Sequence, residues 1–571
     1  METDISETNL VIITKRDRIK LFCFLYWRNI LLISTPLLLL PVAYAAENNA
    51  YKCFYIFLVT VVYWTADVLH QGIISLVPIA LYTIVGSKDP GYINHIFVRN
   101  ELLDYISVMM IIFAIERSNL HRRIAIKLLL LFGCSHYRLS FILFFSTTFS
   151  AMWLSDITAC GLMTPLVKAI LAELERMGIL EIHEVIGKAK QTSERHEQKK
   201  PRPTNFTIFY FLGIAYSSSI GSIATVVGSQ TIQIFKFYSE SLFPSSPPIE
   251  FPHVILLTLP GVLLMETLLY VWMNSYFLRM FRARSNTALE INITEEEAMY
   301  INTLLKTQYH QLGRITYHET IVAVITTVAC FLQACLNSTY IESFPGNHSH
   351  LKISAPCLIC VLLLFVTPVD LDFIGFFKKQ GNANEPLPTS TSKSCLNWNH
   401  VQNNMDWSML FMIASSCATL EALQESGMMR ELEKPLLALA TWPAPVLALI
   451  AIVLCKLLTE YAANPCVAYC VLPSFARLSV AGSVNPQYLM MAATLGCSLP
   501  FHLVTGSPVN ALVAAYVDIP PWKMMSAGIG PSVMTIVVSW FTVAVWSRAI
   551  WNDIHLTPLW VLDNPFKDKG T

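Results

Sequence analysis

Charge is scarce in this chain. Aspartate, glutamate, lysine and arginine make up 14% of its 571 residues and hydrophobic residues 54%, against roughly 25% charged and about 45–50% apolar in soluble globular proteins. So few charges argue against a soluble fold and place the chain in a lipid bilayer as a polytopic protein. Acidic and basic residues cancel at 39 each, so there is no electrostatic case for nucleic acid as a partner. Cysteine lacks pattern: the single CxxC, Cys357-Leu-Ile-Cys360, lies in an apolar run without a second pair or nearby histidines, which argues against a metal site. HExxH and GxGD-like motifs are missing, so nothing supports an intramembrane hydrolase. No cleavable leader is legible either. Fourteen mostly polar residues precede Lys15-Arg16-Asp17-Arg18, and the apolar segment that follows, near 30–45, reads as a retained signal-anchor helix.

What is present is a series of long apolar runs. At about 20 residues per crossing, eleven spans are predicted near 29–46, 52–70, 72–86, 102–118, 205–239, 253–281, 317–336, 353–369, 407–424, 485–517 and 524–547. Two further runs, 137–171 and 435–473, carry polar tips and are long enough to enter the bilayer and return. Basic residues gather before the first span, at Arg117–Lys127, Lys188–Arg202, Arg279–Arg284 and Lys378-Lys379, whereas 47–50, 240–252 and 337–350 have none. The alternation predicts a cytoplasmic N-terminus and an external C-terminus. Asn337 and Asn347 then head glycosylation sequons outside, while Asn205 and Asn292 lie on the inner side.

The expected organisation is a segment 1–51 with the first helix, a repeat 52–284 with a cytoplasmic insert 172–204, an amphipathic connector 285–316, a second repeat 317–547 with a cytoplasmic loop 370–404, and a tail 548–571. The repeats are visible in the tips. Ser155-Asp156-Ile157, with Pro165 following, is echoed by Ala463-Asn464-Pro465, with Pro473 following. Each tip is followed by a long span interrupted by polar residues, at Val227–Thr231 and at Thr505–Val509. Glu116 ends the span before the first tip and Glu421 the span before the second. Basic-residue counts put the two hairpin entries on opposite sides, so the repeats are inverted.

Polar backbone at membrane depth is tolerated only where it is buried in protein or lines a cavity, and matched interruptions in two halves point to a carrier's binding site. Helix N-termini there suit an anion, and carbonyls with hydroxyls suit sodium. The tips and breaks contain no lysine or arginine, so an anion would be held by dipoles, hydroxyls and bound cations. Asp156 favours a cation or proton if it faces the solute; if it faces open water it only weakens anion affinity. Lys456 and Glu460, four residues apart, share a helical face. They read either as a mutual salt bridge or with Lys456 as a fixed charge in place of a lost sodium. His502 reads as packing beside a helix break, and Asp370 with Asp372 as a helix end.

Several of these stretches resemble a known family. Tyr63-Trp64-Thr65-Ala66-Asp67, Glu116-Arg117-Ser118-Asn119-Leu120-His121-Arg122-Arg123, Met152-Trp153-Leu154-Ser155-Asp156-Ile157, Thr459-Glu460-Tyr461 and Ser507-Pro508-Val509-Asn510 look like the divalent-anion:sodium symporters, the solute carriers of citrate, dicarboxylates and sulfate. Phe501-His502-Leu503 and Ala527–Pro531 look most like the insect "I'm not dead yet" citrate carriers. The resemblance covers nearly the whole chain. It implies an all-α membrane fold of inverted repeats, a homodimer in the plasma membrane working by an elevator motion, an organic anion as substrate and no cofactor beyond Na+ or H+.

By the same resemblance, the solute lies among Ser155, Asp156, Ile157, Gly228, Ser229, Asn464, Pro465, Ser507 and Pro508. Degenerate sodium sites fall on Ser155, Asp156 and Gly228, and on Thr459, Asn464, Gly506 and Pro508. The chain departs from the family's Ser-Asn-Thr tips: Ala151 and Ala463 lack hydroxyls, Asp156 replaces an asparagine, and Ile157 and Pro465 replace threonines. Each lost ligand to a charged partner is worth about 1.5–3 kcal/mol. The expectation is a carrier of citrate, succinate or related anions with weakened or absent sodium coupling. The alternatives are a sulfate carrier or a transport-inactive relative with a scaffolding or sensing role.

Overall fold

The computed structural model describes residues 15–44, 48–66, 68–85, 100–179, 181–183, 202–247, 249, 251–278, 295–336, 355–371, 392–551, 554 and 558–561. The sequons at Asn337 and Asn347, Asn292, the basic clusters at 279–284 and 378–379, most of 188–202, and Asp372 lie outside them. Among the described residues the chain is helical, with β-bridges only at His183–Pro203 and Pro368–Ser394.

Helices α1 (Lys15–Ala43), α2 (Asn49–Ala66), α3 (Gln71–Val85), α4 (Asn100–Arg117) and α5 (Leu120–Phe132) lead into a hairpin of α6 (His136–Trp153) and α7 (Asp156–Arg176). A broken helix follows as α8 (Asn205–Ser222) and α9 (Gln230–Leu242), then α10 (Phe251–Leu278) and the connector α11 (Glu295–Gln311). The order recurs. Helices α12 (Tyr317–Leu336), α13 (Ala355–Val366), α14 (Trp398–Asn404), α15 (Trp407–Glu425) and α16 (Met428–Leu437) precede a hairpin of α17 (Ala444–Tyr461) and α18 (Asn464–Ala481). The second broken helix is α19 (Pro486–Cys497) and α20 (Pro508–Val517). Helix α21 (Pro521–Phe541) then runs through a π turn at Thr542–Trp546 into α22 (Ser547–Ile550).

Six helices are long and apolar enough to cross a membrane alone: 20–43, 156–176, 251–278, 317–335, 444–461 and 521–550. Four of these fall on predicted spans and two are hairpin arms. Seven predicted spans fail this criterion, five of them for reasons visible in the helices. Two are broken at polar segments, α3 and α13 are only 15 and 12 residues long, and α4 carries Glu101, Asp104, Glu116 and Arg117. The chain is a multi-pass membrane protein.

The packing repeats with the sequence. In each half the first hairpin arm and the second arm both lie against the first piece of the following broken helix: α6 and α7 on α8, α17 and α18 on α19. The second piece crosses over, so that α9 packs on α18 and α20 on α7. Interlocking of this kind makes each tip part of the other repeat's surroundings. Helices α3 and α13 exchange in the same way, onto α15 and α4.

Each hairpin is preceded by a short helix not anticipated from sequence. Helix α5 starts after Asn119 (φ 59°) and α16 after Gly427 (φ 80°), both in the left-handed region. The basic residues at 122–127 therefore sit on α5 rather than in a loop, and the second hairpin begins at Ala444 behind Pro443, not at 435. Ion pairs of exchanged polarity fasten each short helix to its hairpin's second arm. Arg122 Nε meets Glu173 Oε1 at 2.7 Å in the first half, and Arg477 meets Glu433 at 2.5 Å in the second. Arg123, buried on α5, donates to the carbonyls of Leu312, Gly313 and Arg314 and pairs with Glu319, tying the turn after α11 in place.

Candidate functional site

The two tips and the two breaks meet. Asp156 and Ile157 from the first tip, Asn464 and Pro465 from the second, Ser229 and Gln230 before and at the start of α9, and Pro508 at the start of α20 line one cavity with Asp104 of α4. The first residues of α7, α9, α18 and α20 are Asp156, Gln230, Asn464 and Pro508. Four helix N-termini, each a positive dipole end, thus converge on one cavity, with Ile157 N, Thr158 N and Val509 N already capped by Asp156, Ser155 and Ser507. The cavity measures about 20 Å³ at the centre of a water-sized sphere, room for one water or ion. A molecule of several carbons does not fit the space as it stands.

Six of the nine residues nominated from sequence for the solute line this space: Asp156, Ile157, Ser229, Asn464, Pro465 and Pro508. The other three stand behind it. Ser155 caps α7, its Oγ accepting from Thr158 N at 3.3 Å and from Gln333 Nε2 at 3.0 Å. Ser507 Oγ caps α20, accepting from Val509 N at 3.2 Å. Gly228 is where the first break touches the end of α6: a Cβ there would stand 2.4 Å from the Ala151 carbonyl oxygen. Gly506 repeats this, with a Cβ 2.6 Å from the Thr459 carbonyl oxygen.

The carbonyls that end each first arm are shared out alike. Thr225 Oγ1 donates to Met152 O at 2.5 Å and Thr505 Oγ1 to Glu460 O at 2.8 Å, leaving the carbonyls of Ala151 and Thr459 against the two glycines. Of the nominated cation ligands, Thr459 turns its own hydroxyl back to Cys455 O at 2.7 Å. Replacing Gly228 or Gly506 with alanine puts a methyl onto a backbone oxygen, an overpacking that costs about 1–3 kcal/mol. Both variants are expected to melt below wild type; an unchanged melting temperature in either would show that the breaks do not need this approach.

Two residues of the cavity were missed from sequence. Gln230 Nε2 donates to Asp104 Oδ2 at 3.0 Å, which fixes the amide at the mouth of α9. The available signal was Asp104 itself, an ionisable residue inside a predicted span. Asp156 Oδ1 accepts from Ile157 N at 2.8 Å. Among the described residues, two carboxylates and no lysine or arginine line the space.

The salt bridge read for Lys456 and Glu460 does not form. Glu460 reaches forward to the second break, where its carboxylate accepts from the N–H groups of Phe501 (3.1 Å), His502 (2.9 Å) and Leu503 (3.2 Å). His502 Nδ1 lies 2.9 Å from the same carboxylate and 3.2 Å from Ser532 Oγ. Lys456 Nζ donates to the Leu499 carbonyl and sits 4.5 Å from the Phe501 ring centroid. The carboxylate is instead taken up by three consecutive backbone amides and the His502 ring.

Paired hairpins and paired broken helices around one small polar space define a secondary carrier's construction. Residues 55–496 match the profile of the citrate transporter family, and the chain belongs to that family. It is 29% identical over 550 residues to Protein I'm not dead yet of Drosophila melanogaster, covering 94% of this chain and 91% of the relative. It is 24% identical to the Na(+)/citrate cotransporter of Rattus norvegicus, over 92% and 95% of the two chains. With the Na(+)/dicarboxylate cotransporter 3 of Homo sapiens the identity is 25%, over 92% of each. The family read from the tip and helix-end motifs is therefore the one to which the chain belongs, and it is a family of transporters rather than enzymes.

Proposed function

We propose that this protein is a secondary active carrier of di- and tricarboxylates such as citrate and succinate, with little dependence on sodium. The observation that carries the reading is the convergence of four helix N-termini, those of α7, α9, α18 and α20, on one cavity. Converging helix dipole ends favour carboxylates without a basic side chain. The relatives named for citrate and dicarboxylate transport extend over almost the whole chain, which supports the same solute class. Asp104 and Asp156 add negative charge beside the solute, so the anion enters with a proton or cation as partner. Weak sodium dependence is supported by Ala151 and Ala463, which offer no hydroxyl beside the carbonyls at the ends of the first arms.

The reading includes a homodimer in the plasma membrane, inverted repeats and an elevator motion that carries both hairpins. A cysteine introduced at Ser246 is expected to react with an impermeant thiol reagent from outside, and one at Ser193, outside the described residues, only after permeabilisation. External labelling at both would overturn the orientation. One observation favours a second reading, a transport-inactive relative with a scaffolding or sensing role: the cavity is lined by two carboxylates, with Ile157 and Pro465 at the tips. Uptake of labelled citrate, succinate and sulfate into proteoliposomes, with and without a sodium gradient, separates the two. Saturable carboxylate uptake supports the carrier, sulfate uptake alone changes the solute, and none from well-folded protein leaves the second reading.

A further inference from the structure

We propose that Lys456 is a tethered cation that does at the second break what a free sodium ion would otherwise do, an inference that rests on the carrier reading above. The two breaks are built differently. Carbonyls of the first are covered by neutral groups: Thr258 Oγ1 donates to Ala224 O at 2.9 Å, and Gln233 Nε2 to Val226 O at 3.1 Å. Thr225 Oγ1, in turn, covers Met152 O. The second has neutral donors too, Tyr216 on Phe501 O and Asn510 on Pro500 O and Leu503 O, and adds a cation and an anion. Helix α19 ends at Cys497, so the carbonyls that follow carry the negative end of its dipole. Lys456, only 5% exposed, places its ammonium on the Leu499 carbonyl and over the Phe501 ring. Glu460, 6% exposed, takes the amides of 501–503 from the other side.

The asymmetry is in the repeat itself. Lys456 and Glu460 stand eight and four residues before Asn464; the positions eight and four before Asp156 are Thr148 and Met152. Thr148 Oγ1 donates to Ser217 O at 3.2 Å and brings no charge. Unwound carbonyls and half-helix C-termini are the places where carriers of this construction coordinate a coupling cation. At the second break Lys456 meets that demand at the Leu499 carbonyl, with a charge that travels with the protein. Free-cation coupling then falls mainly to the first break, around the Ala151 carbonyl and Gly228.

The test uses the full-length purified protein in proteoliposomes, with labelled succinate or citrate and choline as the only external cation. Wild type and Lys456→Arg are expected to take up the solute under these conditions. Lys456→Ala is expected to lose about tenfold to a hundredfold of that uptake, the cost of removing a charged donor. Addition of sodium or ethylammonium should restore most of it, a rescue that a merely structural lysine would not show. Monodisperse Lys456→Ala that keeps its sodium-free uptake, or that stays inactive with both cations, overturns the proposal. If Lys456→Ala does not yield monodisperse protein, the wild type decides: a sodium Hill coefficient no greater than about one is expected, and clear cooperativity overturns the proposal. No carboxylate uptake by wild type in any arm overturns the carrier reading and this inference with it.

Discussion

Glu460→Ala is expected to give a protein that melts well below wild type, yields little monodisperse material and carries no solute. The carboxylate is the acceptor for three consecutive backbone N–H groups, of Phe501, His502 and Leu503, in a segment between two half-helices where no helical carbonyl is available. Each buried N–H left without a partner costs about 1–3 kcal/mol, and Glu460 itself is only 6% exposed. The break is also tied across the repeats by Tyr216, whose hydroxyl donates to Phe501 O at 2.8 Å, so a collapse there spreads into α8. Glu460→Gln keeps one acceptor oxygen and should fall between. Thermal loss of the size-exclusion peak is the readout; an alanine variant that melts within a few degrees of wild type would show that the amides find other partners.

Asp156→Asn is expected to do the opposite and tighten solute binding. Asparagine keeps the shape of the side chain and still accepts from Ile157 N through its carbonyl oxygen, while the charge is lost. Two unit charges about 4 Å apart in a partly polar protein setting repel by roughly 4 kcal/mol, so affinity for succinate at neutral pH should rise at least about tenfold. The pH profile follows by sign. Protonating the carboxylate relieves the repulsion, so wild-type uptake should rise as external pH falls from about 7.5 to about 5.5, and the asparagine variant should rise less. Citrate and succinate also take up protons in that range, which is why the difference between the two proteins, not the slope of either, is the measure. Asp104 remains in the single variant, so a residual slope is expected, and Asp104→Asn with Asp156→Asn should reduce it further. Wild-type affinity and profile in the single variant would show that Asp156 does not face the solute.

The tips were legible because their chemistry is local. Ser155 caps α7 and Pro465 sits in the first turn of α18, so a polar pair inside an apolar run marks a helix start without tertiary information. The breaks were placed late. Sequence put the interruptions at 227–231 and 505–509, whereas α8 already ends at Ser222 and α19 at Cys497. What opens those earlier residues is non-local: Thr258 from α10 takes the Ala224 carbonyl, Tyr216 the Phe501 carbonyl, and Asn510 the carbonyls of Pro500 and Leu503. Helices α5 and α16 were hidden by their charge, because amphipathic segments rich in arginine and glutamate read as loops between spans. Lys456 and Glu460 show the limit of spacing arguments. Four residues apart on one face, they read either as a pair or with Lys456 as a fixed charge, and the backbone of the second break takes both side chains.

The central claim is that the space between the two tips holds a transported carboxylate. Its most direct measurement is counterflow of labelled succinate and citrate in proteoliposomes containing wild type or Ile157→Trp. Ile157 is buried at the cavity wall, and an indole there fills the space the solute needs. Saturable counterflow is expected from wild type, and none above empty liposomes from monodisperse Ile157→Trp. Equal counterflow by both proteins would contradict that claim.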